Sequence, residues 1–83
     1  MVTVYAIFDK NTKEIYVGMT NNFQRRIQEH KRGQSFFTKK FKNIKVIHTE
    51  IYTNYKEARN REKYLKSGSG KEFLKNKINA GVV

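Results

Sequence analysis

The chain has no cysteine, so disulfides and thiolate-bound metals are excluded as sources of stability. No apolar run approaches the ~20 residues needed to span a bilayer. The first residues, MVTVYAIFDK, lack the basic start and small-residue cleavage site of a secretory signal, so a cytoplasmic protein is expected. Acidic residues are scarce. Seven Asp and Glu stand against eighteen Lys and Arg, a net charge of +11. A field of that sign draws polyanions and speeds their encounter without fixing the fold. A mean hydropathy of −0.81 with high net charge is a signature of disorder. Against it, aromatics make up 13% of the chain and the apolar residues are periodic. We expect one folded domain over 1–83, too small for a separate recognition domain.

Val4, Ala6 and Phe8 alternate with Tyr5 and Ile7, so the first strand is apolar on both faces. The turn-prone DKNT follows, and a second strand runs from Lys13 to Gly18. A loop of Lys10-Asn11, or of Asp9 to Thr12, predicts a register pairing Val4 with Val17, Ala6 with Ile15 and Tyr5 with Tyr16. Asn21 or Asn22 can cap a helix carrying Phe23 and Ile27, which Arg32-Gly33 ends. Ser35 to Lys42 is basic, holds Phe36, Phe37 and Phe41, and could form one or two helical turns. Ile44 to Tyr52 reads as a third strand. Asn54 with Glu57, and Ser69 with Glu72, are capping boxes for helices over Tyr55 to Lys66 and Gly70 to Ile78. The expected fold is α+β: a small sheet flanked by helices, in the order β-β-α-α-β-α-α.

Three features stand out from that scaffold. Tyr5 and Tyr16 share a face, which on a hairpin alone is an ordinary cross-strand aromatic contact. Arg26 and His30 lie one turn apart on the helix after Gly18, a residue that permits close backbone approach. Separately, each could be a solvated surface residue. Glu62 falls in the apolar stripe of Tyr55, Ala58 and Leu65. It could simply pair with Lys66, Arg59 or Arg61, yet a charge facing a core is costly without a partner or a metal.

Thr3-Val4-Tyr5, Tyr16-Val17-Gly18, Arg26, His30 and the ARNREKYLKS segment containing Glu62 resemble the GIY-YIG nuclease family in order and spacing, over about Val2 to Ile78. The first motif reads TVY where the family has GIY. The resemblance implies a three-stranded antiparallel sheet and metal-dependent DNA endonuclease activity. It implies Tyr16 as general base or proton relay and Tyr5 as the group positioning nucleophile or phosphate. Arg26 would stabilise the scissile phosphate, and His30 would assist proton transfer or orient a tyrosine. Glu62 would hold one divalent cation, Mg²⁺ or Mn²⁺. Asn76 and Asn79 compete for a family asparagine.

A free phenol has a pKa of about 10 and imidazole one of about 6.5, so a relay from Tyr16 to His30 or to metal-bound solvent is the expectation. Arg26 suits phosphate because its planar fork makes bidentate contacts. Arg25, Lys31, Arg32, Lys39 and Lys40 are candidate phosphate contacts, extended by Lys66 and Lys71. With no base-reading motif in view, DNA shape such as flaps or branches is a better substrate than a defined site. A non-catalytic nucleic-acid binder fits the size and charge equally well. A membrane-surface helix does not, since no segment combines a basic face with a broad apolar one.

Overall fold

A computed structural model describes residues 1–80, so the last three residues of the expected 1–83 domain lie outside the described residues. Six elements follow in order: β1 (Val2–Asp9), β2 (Ile15–Thr20), α1 (Phe23–Lys31), β3 (Ile44–Tyr52), α2 (Tyr55–Lys66) and α3 (Gly68–Asn79). The three strands form one antiparallel sheet in the order β2-β1-β3. This is the expected α+β architecture. Central β1 is buried on both sides, which is why it is apolar on both. One face, with Val4, Ala6, Phe8 and Val17, packs against Ala58 and Leu65 of α2 and Leu74 of α3. The other, with Tyr5 and Ile7, packs against Ile27 of α1 and Phe41. Between Ala6 and Ile7 the β1–β3 pairing shifts by one residue. That bulge turns Ile47 into the same core as Val4 and Ala6.

The hairpin register differs from the expected one. Tyr5 pairs with Gly18, Ala6 with Val17 and Ile7 with Tyr16, a displacement of two residues. Two contacts account for it. Asp9 is fully buried and accepts backbone N–H groups from Thr12 at 2.9 Å, Lys42 at 3.1 Å and Asn43 at 2.8 Å. It therefore ends β1 and ties the hairpin to the chain entering β3, while Lys13 takes a left-handed conformation at φ 65° to close the turn. Opposite Tyr5, Gly18 leaves room for the phenol, where an added Cβ would lie 2.7 Å from the Tyr5 hydroxyl.

Asn22 caps α1 and Asn54 caps α2, each side chain accepting the backbone N–H three residues on. Such caps typically stabilise a helix by about 1 kcal/mol. α3 begins earlier than the sequence suggested. Ser67, not Ser69, caps it by accepting from Gly70 N–H at 3.3 Å. The shift follows from Gly70, which meets α2 so closely that a Cβ would lie 2.1 Å from the Tyr64 carbonyl. Residues 35–42 form successive turns, closed by Thr38 N–H to Ser35 and Phe41 N–H to Thr38, instead of the expected short helix. Ser35 and Thr38 spend their side chains on α1, so the segment follows α1 and not its own periodicity.

Candidate active site

Tyr5, at the middle of β1, and His30, in the last turn of α1, are both buried, and the Tyr5 hydroxyl lies 2.8 Å from His30 Nε2. Thr38 Oγ1 lies 2.6 Å from Nδ1, so both ring nitrogens are engaged. In a neutral imidazole one nitrogen donates and the other accepts, which both contacts permit. Burial, reinforced by the Arg26 guanidinium, pushes His30 down to about 4. Burial also pushes Tyr5 up to about 12, opposed by Arg26 and reinforced by Tyr16 and Glu62. Tyr5 is therefore a protonated phenol and His30 an uncharged holder of it.

Arg26 projects one turn before His30. It donates to Glu29 Oε1 at 2.9 Å and to Ser35 Oγ at 3.3 Å, which fixes its head. Glu29, by hydrogen bond, strengthens its protonated state, and Tyr5 and Tyr16 add to the effect. Tyr16 leaves β2 on the same face. Its ring centroid is 6.4 Å from that of Tyr5 and 5.3 Å from that of His30. Phe37 covers it at 6.2 Å, the two rings within 20° of parallel. Two phenols, a guanidinium and an imidazole thus share one side of the sheet. Gly18 completes the floor, its bare backbone under the Tyr5 ring.

Glu62 comes from the other layer. α2 packs against the opposite face and against β2. From there the Glu62 charge still reaches Tyr5, where it favours the protonated phenol. The residue is only 6% exposed, and its two oxygens are held by Arg59 Nη1 at 2.6 Å and Lys66 Nζ at 3.2 Å. Both cations are about half exposed and can swing away. No cluster of three or more acidic, histidine or cysteine ligands exists among the described residues. One carboxylate nevertheless fits a hard cation such as Mg²⁺, which keeps several waters and takes its remaining ligands from a substrate phosphate.

The expected phosphate contacts fare unevenly. Arg25, Lys31, Arg32, Lys39 and Lys40 are exposed along α1 and the turn segment after it. Arg25 lies 3.7 Å from Glu29 and Lys40 2.9 Å from Glu14, both loose surface pairs. Lys66 is occupied by Glu62, and Lys71 donates to the Ile15 carbonyl at 3.1 Å on the free edge of β2. Burial among Lys75 and Lys66 lowers the Lys71 pKa. Asn76 and Asn79 are both exposed on α3, and Asn79 lines a cavity of about 450 Å³ with Phe8, Lys10 and Lys75, apart from the tyrosines. Glu62 pairs with Arg59 and Lys66, two of the three partners its helix offered, whereas Ser35, Thr38, Glu29 and Phe37 were not foreseen. Glu29 stands at helical spacing from Arg25 and Arg26, a signal that could have found it, whereas Ser35, Thr38 and Phe37 act through partners on other elements, which no local pattern announces.

A three-stranded antiparallel sheet thus carries two tyrosines on one face, with an arginine and a histidine on one helix and a glutamate on the next, and a family match gives the class: a nuclease-type fold. The GIY-YIG catalytic domain model matches residues 1–79, and the chain belongs to that family. A UPF0213 protein of Clostridium perfringens is 34% identical over 64 residues, covering 76% of this chain and 68% of its own length. A UPF0213 protein of Syntrophus aciditrophicus is 31% identical over 70 residues, covering 82% of this chain and 80% of that protein. No solved structure matches the chain. The family is generally endonucleolytic, typically uses a divalent metal and implies a nucleic-acid substrate. No helix of the described residues is long and apolar enough to cross a membrane.

Proposed function

We propose that the protein is a divalent-metal-dependent DNA endonuclease of the cytoplasm that selects its substrate by structure and not by sequence. The observation that carries this reading is the meeting of Tyr5, Tyr16, Arg26 and His30 on one side of the sheet, with the buried carboxylate of Glu62 on the helix packed against β1 and β2. Arg26 has the planar fork that grips two phosphoryl oxygens, and Glu29 and Ser35 set its direction. Tyr16 orients the attacking water and relays its proton, the phenolic oxygen accepting it as the phenol's own proton passes to solvent. Tyr5 stays protonated. If His30 Nε2–H donates to the phenolic oxygen, the Tyr5 proton is left free to point at the phosphate. His30 is then a positioning residue for Tyr5 and not the proton acceptor of Tyr16. Its ring is bonded at both nitrogens and titrates too low to serve as one near pH 7. Glu62 would hold one Mg²⁺ or Mn²⁺, which would supply Lewis-acid support for the leaving oxygen. Arg59 and Lys66 neutralise that carboxylate until the ion arrives.

The test is nicking of supercoiled DNA with and without Mg²⁺. Glu62→Ala should abolish nicking while DNA binding survives, and Tyr16→Phe should slow it at least tenfold. Nicking that persists in chelator, or in Glu62→Ala, would show the reading to be wrong. One observation favours a second reading, a non-catalytic binder of the same fold: both Glu62 oxygens are already occupied by cations. Tight DNA binding by a chain that never nicks with either metal would select it.

A further inference from the structure

Beside the tyrosines, the turn segment after α1 carries two phenylalanines that folding leaves in water. Phe36 is 75% exposed and Phe37 67% exposed. Their neighbours are the opposite: Ser35 and Thr38 are buried, one bonded to Arg26 and the other to His30. The crest of the turn is thus anchored by the residues of the site itself. Phe37 stacks on Tyr16, Phe36 meets Phe37 edge-on at 5.4 Å and 87°, and Lys39 Nζ lies 5.2 Å from the Phe36 ring centre. A large exposed aromatic pair costs solubility and gives nothing to this core. An aromatic face beside cationic side chains is the chemistry that holds an unpaired nucleobase, whose ring stacks while the strand's phosphates meet lysine. A paired base offers no free face to such a platform.

We propose that Phe36 and Phe37 form a stacking platform for an unpaired base of the DNA strand held at Tyr16 and Arg26, making single-stranded DNA or the single-stranded arm of a junction the bound form. The inference rests on the nucleic-acid reading of the site and narrows it to a substrate class. The positive charge around the pair fits a polyanion and opposes self-association: Lys39 and Lys40 lie within three residues, and the chain carries +11. Continuity with Tyr16 makes the platform part of the site and not a distant patch.

The experiment measures DNA binding in chelator, so that cleavage plays no part. Probes are a fluorescently labelled single strand, the same strand in a flapped duplex, and the same strand fully paired. Phe36→Ala with Phe37→Ala should weaken binding of the single strand and the flap on the order of tenfold or more, and of the full duplex by less than about twofold. Phe37→Trp should retain the preference. A strand carrying a fluorescent purine analogue should be quenched by the wild type and not by the double variant. Equal losses on all three probes, no loss at all, or a double variant whose main change is oligomeric state would each overturn the platform. Because both rings are exposed, the variants should melt like the wild type. The two proposals can fail separately. Discrimination by a chain that never cleaves leaves the platform standing and removes the nuclease. Metal-dependent nicking that ignores both substitutions does the reverse.

Discussion

Mild acid is a sharp probe of the Tyr5–His30–Thr38 chain. His30 titrates at about 4 in the folded protein because it is buried beside Arg26, and at about 6.5 in the unfolded chain. Between those values the unfolded chain binds a proton that the folded one refuses, so stability falls as pH falls through that window. From about pH 7.5 to pH 5 the loss is about 2 kcal/mol, a large share of the stability of a domain this small. The carboxylates of Asp9, Glu14, Glu29 and Glu50 are all held below their ordinary range, so their contributions are lost only at lower pH. Urea melts at the two pH values should show the midpoint moving by roughly 1–2 M. His30→Gln should be less stable at neutral pH but lose most of the slope. A wild-type midpoint that stays flat over this range, or a slope that survives in His30→Gln, would refute a buried neutral imidazole at this position.

Three further outcomes follow from close contacts and from charge. Gly18→Ala should cost about 1–3 kcal/mol and depress any cleavage, because its Cβ would press on the buried Tyr5 hydroxyl; thermal melting and nicking assays read the two effects. Gly70→Ala should cost about 3 kcal/mol or more, since the obstacle is the Tyr64 and Leu65 backbone, which cannot swing aside; unchanged melting would contradict the α2–α3 packing. DNA affinity should fall steeply and linearly in log salt. Arg32→Ala should reduce that slope by about 1 without changing sequence preference, as counterion release at one phosphate requires.

Much of the site could be read from order and alternation. The period-two pattern from Val2 to Phe8 put Tyr5 and Tyr16 on one face, and helical spacing put Arg26 beside His30 and Glu62 inside an apolar stripe. Asn54, and Asn22 as one of two adjacent asparagines, marked their helix starts by side-chain chemistry that acts within three residues. Such signals are local, and the structure keeps them.

What the tertiary structure alone decided is of another kind. A hairpin displaced by two residues leaves every side chain on its own face, so alternation cannot detect the shift; the buried Asp9 and the room over Gly18 chose the register. The turns over 35–42 have no period of their own because Ser35 and Thr38 answer to Arg26 and His30. The same contacts turned His30 from a titrating base into a fixed neutral ring, by burying it and bonding both nitrogens. Burial and long-range pairing set protonation and register. They are properties of what surrounds a residue in space, and its neighbours along the chain do not carry them.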